Sequence, residues 1–489
     1  MKCVRCKIEF ATDLSYVRFE IRVTMELTKL IGSEPEFIEE SYFEAFRRFS
    51  PDGVVTDFDD AMMVRLLTMD TDELYQRCCK NLAMRALKTK MFKLFTRESI
   101  MLCDDNIVAL CNMCDYDERL IKSLCESHDL MTVLCRESVL LDVSILRNIS
   151  KYDQFALIKA CEIAKDEDDE GGIITHNAIE LIKNELVPFD IVDSDGNTAL
   201  MHACKDRYME DVTIKLIESG KANIGQINAN GNTALLIACA YKLEKTALKL
   251  LESSDSRPNH IGSEGRTALS EACQRAQTNV ALKLIDYADN PGLVTNGFTP
   301  LCYATANKMD AVASKLIATG KSNPSHVDAN KNTALINLCS SRERAAVALQ
   351  LIETGESNPG HAKSLTALMC ACMNGMTTVA LAIIATRQAN LTYEYINRTA
   401  LYVACYFRLT PVALAIIATG EFDPNLVDGK GYTLFKTACH LYDEQIITAL
   451  MTSGKTIEMD ELKSLRNRDQ VLSFARVSGM QSLVDALTD

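Results

Sequence analysis

Cys3 and Cys6, with two residues between them, could supply half of a zinc site. A structural zinc ion needs four such ligands, usually offered as two pairs. The next Cys-x-x-Cys is Cys111 to Cys114, far along the chain in an apolar helical pattern, and no other cysteine or histidine precedes Cys78. The expectation is therefore a cysteine-bearing strand and no metal. Gly320-Lys321-Ser322 and Gly454-Lys455-Thr456 carry the closing residues of a phosphate-cradling loop. The first glycine of that motif is missing, with Lys315 and Ala449 in its place, so nucleotide binding is not expected. The histidines are scattered, His202 on a helical stretch and His260, His326 and His361 in loops. No His-Glu-x-x-His or Gly-x-Ser-x-Gly motif occurs. No catalytic residue, cofactor or metal is expected, and the chain reads as a non-enzyme.

The remaining chemistry is recognition. Tyr241, Phe298, Tyr395, Arg398, Tyr402, Tyr406, Phe407 and Tyr432 are side chains of the kind that dominate protein interfaces. Six of them, Tyr395, Arg398, Tyr402, Tyr406, Phe407 and Tyr432, crowd one short stretch and form the expected partner-binding patch. The competing reading places Tyr402 in the core and packs Phe407 beneath a loop.

The elements that position these residues repeat. The phrase Thr-Ala-Leu-x-x-Ala-Cys recurs at Thr198, Thr233, Thr267, Thr299, Thr333, Thr366, Thr399 and Thr433, at intervals of 35, 34, 32, 34, 33, 33 and 34 residues. A turn phrase precedes each, such as Asp193-Ser194-Asp195-Gly196, because Asp, Asn and Gly favour tight turns and positive φ. The threonine can cap a first helix, and Pro300 suits the first helical position. Leu200, Ala203 and Cys204 lie at i, i+3 and i+4 on one helical face. A second helix follows, its buried side marked by Val280, Leu284 and Ile285 or by Val379, Ile383 and Ile384. Gly220, Gly320, Gly355, Gly420 and Gly454 close it, where a left-handed residue is cheapest. No unit can bury its apolar faces alone, so the units must stack.

This pattern resembles the ankyrin repeat, Gly-x-Thr-Pro-Leu-His-x-Ala-Ala, over about residues 190 to 455. The resemblance implies a mostly α fold, an ankyrin-repeat solenoid of helix-turn-helix units, and binding through turn tips and the exposed side of the first helices on a concave face. The motif histidine is replaced throughout, by Met201, Leu236, Ser270, Cys302, Ile336, Met369, Tyr402 and Lys436. The first alanine is once Leu338, and the second is usually cysteine, with Thr305 the exception. The loops Gly320-Lys321-Ser322-Asn323-Pro324 and Gly355-Glu356-Ser357-Asn358-Pro359 nearly duplicate one another. In this the chain is similar to the multi-ankyrin proteins of giant DNA viruses of amoebae, which implies a host protein as partner.

The domain boundaries follow. Residues 1–100 lack the repeat. Val17, Phe19, Ile21, Val23, Met25 and Leu27 alternate with mostly polar residues and suggest a β-hairpin strand, with helices from Glu36 onward and a turn at Pro51-Asp52-Gly53. Residues 66–78 resemble part of an F-box, which implies the alternative function, a substrate-recruiting adaptor of a ubiquitin ligase; an amphipathic helix pair capping the solenoid is the plainer reading. Residues 101–190 are degenerate ankyrin-like units: Ala156 to Cys161 matches a first helix, Ile179, Ile182 and Leu186 suit a second, and the stretch from Ala109 to Leu124 is an earlier echo or a plain hairpin. The acidic insertion 165–170 reads as a solvated loop. Residues 191–455 hold the eight repeats. Residues 456–489 form a helical cap, with Leu462, Leu465, Val471, Leu472, Phe474, Ala475, Val477, Leu483, Val484 and Leu487 as its apolar side chains.

Bulk properties bound the rest. With 489 residues and a net charge of −14, a general nucleic-acid binder is excluded, since that needs a positive field. A basic or neutral protein partner fits the overall charge better. The 19 cysteines are an odd number in a long chain and sit in helical patterns, so they read as reduced core residues in a reducing compartment. No signal peptide or membrane span is expected. The expected location is the cytoplasm, or the nucleus.

Overall fold

The computed structural model describes residues 104–113, 116–163, 172–428, 431–459, 462 and 465–488. Cys3 and Cys6, the expected hairpin, the turn at Pro51, the F-box-like segment and the insertion 165–170 lie outside them. The chain divides into two compact units, Met1–Ala229 and Asn230–Asp489.

All eight repeat threonines take up extended backbone and cap a first helix. The hydroxyls accept the N–H three residues on: Met201 at 3.2 Å, Leu236 at 3.3 Å, Ser270 at 3.1 Å, Cys302 at 3.1 Å, Ile336 at 3.3 Å, Met369 at 3.1 Å, Tyr402 at 3.4 Å and Lys436 at 3.1 Å. Each cap satisfies one of the four orphan donors of a helix start. Leu200, Ala203 and Cys204 are fully buried, as are their equivalents Leu401, Ala404 and Cys405. At roughly 2 kcal/mol for each buried leucine, these faces supply the drive for stacking. Truncating one, Leu301→Ala for example, would cost about 2–5 kcal/mol.

Most of the second helices end by a device the sequence reading did not name. A Ser or Thr hydroxyl in the last turn donates to the carbonyl three residues back, Thr319 to Leu316 O at 2.6 Å and Thr419 to Ile416 O at 2.7 Å. The same oxygen accepts the N–H two residues on, from Lys321 and from Glu421, each at 3.2 Å. The residue between must be left-handed. Gly220, Gly320, Gly355, Gly420 and Gly454 have φ of +65° to +76°, and Arg387 holds the same place at φ +57°.

In the carboxy-terminal unit the helix pairs form two rows. First helices pack in succession, among them Ala268–Gln274, Pro300–Ala306, Ala334–Leu338, Ala367–Met373, Ala400–Tyr406 and Leu434–Leu441. Second helices form the other row, from Glu244–Leu250 to Glu444–Met451. Arg468–Val477 and Gln481–Thr488 close the array, burying Val471, Ala475, Leu483 and Leu487. Val477, expected in this core, is 87% exposed, because it falls on the outer side of its helix.

The amino-terminal unit has two rows of its own before the first full repeat. Three short pairs stack there: Asp104–Met113 with Glu118–Ser127, Leu130–Arg136 with Val143–Tyr152, and Ala156–Ile163 with Ile173–Lys183. The middle pair carries no Thr-Ala-Leu phrase, and the sequence does not announce it. In the third pair the buried face is Ile174, Ala178, Leu181 and Ile182. Ile179 and Leu186, expected there, are only half-buried, since Ile179 falls beside the buried face and Leu186 lies past the helix end at Lys183. Among the described residues there is no strand beyond isolated bridges at the turn tips, and no helix is long and apolar enough to cross a membrane.

Candidate functional site

Three inter-repeat histidines serve the scaffold. The Nε2 atoms of His260, His326 and His361 contact the carbonyls of Gly231, Gly297 and Lys331, at 2.7, 3.0 and 3.0 Å. Each bonds a loop to the turn tip of the repeat before it. His202 bonds Asp193 at 2.7 Å and is buried. The two phosphate-loop look-alikes are helix ends: Gly320 and Gly454 follow the hydroxyls that close second helices, and the Lys455 ammonium is held by the Phe422 carbonyl. Among the described residues no three His, Cys, Asp or Glu side chains gather as a metal would require. All thirteen described cysteines are free thiols, and twelve are buried. Burial pushes Cys372 and Cys439 up to about 12 and Cys204, Cys273 and Cys405 higher still. Thiols so raised stay protonated at neutral pH.

The first helices also end on clamps. A side-chain donor of the next repeat, or of the cap, reaches a carbonyl at the end of the previous first helix: Gln277 Nε2 to Cys239 O at 2.5 Å, Asn307 Nδ2 to Cys273 O at 2.9 Å, Arg344 Nη1 to Thr305 O at 2.7 Å, Asn374 Nδ2 to Cys339 O at 3.0 Å and Asn467 Nδ2 to Cys439 O at 2.8 Å. Such bonds satisfy carbonyls left over at a helix C-terminus. In the seventh repeat, Phe407 stands eight residues after its threonine, where Asn307 and Asn374 stand after theirs. Among the described residues, Cys372 O and Cys405 O receive no side-chain donor.

The seventh repeat departs at its tip as well. Tyr395 and Arg398 exchange both backbone hydrogen bonds, at 3.0 and 3.1 Å, around Ile396 and Asn397 with φ of +52° and +55°. This is a type I′ turn, which favours Asn and Gly. The fourth repeat obeys the rule with Asn296 and Gly297. Ile396 breaks it, and a β-branched residue in the left-handed region is strained by about 1 kcal/mol or more. It is also 66% exposed.

Around this tip the six expected residues come together unequally. Tyr406 and Phe407 reach the surface at 53% and 45% exposure, with rings edge to face at 5.4 Å. Tyr395 and Tyr432 are partly exposed. Tyr402 is 5% exposed, so it lies beneath the surface, in the place of the missing motif histidine. It donates its hydroxyl to Asp428 Oδ2 at 2.6 Å, a carboxylate buried at the base of the eighth turn tip. Burial, and then that carboxylate, push its phenol up to about 12. Its ring stacks under Tyr406 at 6.5 Å, and the Arg398 guanidinium lies 5.6 Å from its centroid and 3.9 Å from Asp428. Tyr402 and Asp428 therefore hold Arg398 and Tyr406 in place. Lys436 covers the Tyr432 ring at 4.8 Å. Tyr241 is exposed in a distant repeat, and Phe298 stacks on Tyr303 at 4.8 Å; neither joins the cluster. Sequence reading missed Ile396 and Met373, both exposed. Aligning the repeats by their threonines would have found them, since Ile396 aligns with Asn296 and Met373 with Tyr406.

Among families of known proteins, the ankyrin-repeat model, three copies long, matches residues 173–261. No curated protein matches the chain. The match and the two-row stacking of helix pairs make the fold an ankyrin-repeat solenoid. Such repeats generally mediate protein–protein interaction.

Proposed function

We propose that this chain is a protein–protein interaction scaffold that binds its partner through the turn tips and first-helix face of the array, centred on the seventh and eighth repeats. One observation carries the reading: Ile396 and Phe407 stand where the fourth repeat has Asn296 and Asn307, and both are exposed. They cost the stack a relaxed turn and an inter-repeat hydrogen bond, and they put two apolar side chains on the surface of one repeat. Residues that break a local rule without helping the fold are expected at functional sites. The duplicated loops support an origin among giant-virus multi-ankyrin proteins, with a host protein as partner in the host cytoplasm.

Affinity capture from lysate tests this. The double variant Tyr406→Ala/Phe407→Ala should lose a partner that the full chain retains. An unchanged set of captured proteins would move the site elsewhere. The adaptor alternative stands on residues 66–78, and the same experiment separates it: ligase subunits would be recovered only with residues 1–100 in place.

A further inference from the structure

We infer that a second copy of this chain packs on the outer side of the second-helix row, over the fifth to eighth repeats. The second helices of the carboxy-terminal unit begin polar and turn apolar along the array. Glu244–Leu250 carries Glu244, Lys245 and Lys249, and Thr278–Ile285 carries Lys283. Thr377–Ala385 and Thr410–Thr419 carry no charged residue. With the repeats aligned, the position of Lys249, Lys283 and Lys315 passes to Gln350, Ala382, Ala415 and Ala449. The exposed Glu252 and Asp286 pass to Ala318, Glu353, Ala385, Ala418 and Thr452, so Glu353 is the one charge left at that place. Two of the lysines are engaged, Lys249 with Glu252 at 2.9 Å and Lys315 with Asp286 at 2.6 Å. Alanine can make no such pair, and Leu349, Leu381 and Leu414 stand beside it half-buried. A helix apolar on every side is one that is covered on every side.

Charge and area select a second copy as the cover. At a net charge of −14, copies repel where charged faces meet, and this face escapes that cost. Its rim is self-complementary. Past the ends of Ala345–Glu353, Thr377–Ala385, Thr410–Thr419 and Glu444–Met451, the first charged residues are Glu356, Arg387, Glu421 and Lys455 in turn. A twofold axis parallel to the helices, between the sixth and seventh repeats, reverses that order. Arg387 then meets Glu421 of the second copy, and Glu356 meets Lys455, each pair formed twice, as in the isologous contacts commonest among oligomers. At the helix starts Arg408 meets the uncharged Thr377 and Thr378, and Arg342 and Glu343 meet Asp443 and Glu444. The four helices have 9, 9, 10 and 8 residues. At about 1.5 Å per residue and about 9 Å between axes they offer about 500 Å² on each copy. The pair then buries about 1,000 Å², where specific interfaces begin. The first helices form the other row, so such a dimer carries two partner patches on its outward sides and gains avidity for a repeated partner. That consequence rests on the binding reading above; the dimer does not.

Sedimentation velocity of the full chain over a concentration series tests the contact. The expected result is monomer at low concentration and dimer at high. Ala382→Lys/Ala415→Lys should stay monomeric throughout. It only restores the lysine that folded repeats carry at Lys249 and Lys283, so the fold should survive, and circular dichroism would verify it. Arg387→Glu should weaken the dimer about tenfold, and adding Glu421→Arg should restore it, since the exchanged pair re-forms across the axis. A chain that stays monomeric up to about 1 mM would overturn the inference. So would a dimer indifferent to the two lysines, which would lie on another face. None of these readouts involves Phe407, so the dimer and the partner patch fail separately.

Discussion

The fourth and seventh repeats share one frame and differ in the residues they turn outward, and their residues correspond at an offset of one hundred. Thr299 and Thr399 cap their first helices, and Thr319 and Thr419 close their second helices with the same pair of hydrogen bonds. Around this common frame the fourth repeat is tied to its neighbours. Asn307 clamps the repeat before it, Arg344 of the fifth repeat clamps Thr305, and Asn296-Gly297 makes a relaxed turn. The seventh repeat has neither clamp, a strained isoleucine at its tip and aromatic rings in the open. Stacking tolerates these departures because Leu401, Ala404 and Cys405 remain buried. What holds the array together and what faces outward are thus separable, residue by residue.

The comparison can be broken in four ways. The strongest is at Arg344, a buried guanidinium whose Nε donates to Asp310 at 2.6 Å and whose Nη1 reaches Thr305 O and Asn337 O. Arg344→Ala should lower stability by about 3 kcal/mol, because carbonyls and a carboxylate lose their donor together. Arg344→Met should recover most of that loss, since Met209, Met309 and Met376 plug the equivalent place. Denaturant midpoints would decide; an unchanged Arg344→Ala would mean that the clamps do not tie the repeats.

Next comes Tyr402→Phe, expected to cost about 1–2 kcal/mol by removing a donor from buried Asp428. It carries a pH signature. Folded Tyr402 keeps its proton up to about 12, whereas an unfolded tyrosine loses it near 10. Between these values the unfolded chain sheds its proton first. The stabilisation is therefore complete below about pH 10 and is lost as pH rises towards 12. Tyr402→Phe should lack that part of the alkaline decline.

Smaller still is Ile396→Asn, which relieves the left-handed strain and should stabilise by about 1 kcal/mol while weakening partner binding. A thermal melt beside a binding titration would show the two effects moving in opposite directions. The finest test exchanges the repeats' identities. Asn307→Phe should lose up to about 1 kcal/mol with its two carbonyl contacts, and Phe407→Asn should gain a similar or smaller amount. If Phe407→Asn destabilised instead, Phe407 would be a packing residue rather than a surface one.

The repeat itself was legible in sequence because its period, caps and helical faces are local properties, and each threonine in the phrase makes the cap its position implies. The pair at Leu130–Arg136 and Val143–Tyr152 was illegible because its burial comes from stacking on its neighbours and leaves no phrase in the chain. For the site, residue type pointed to Tyr406 and Phe407 and also to Tyr402, but only packing separates a ring on the surface from one beneath it. Ile396 escaped because an isoleucine in a loop is unremarkable until the repeats are aligned and it falls where Asn296 makes a left-handed turn.

The column of cysteines that ends the first helices gives the array an internal ruler. Cys204, Cys239, Cys273, Cys339, Cys372, Cys405 and Cys439 are each buried. A thiol reagent can reach one only when that repeat opens. In an array whose stability is a sum of neighbouring terms, the modification rates of these cysteines, resolved by mass spectrometry, would give the opening free energy of each repeat in turn. The profile would show directly whether the repeat that displays Phe407 is also the first to let go.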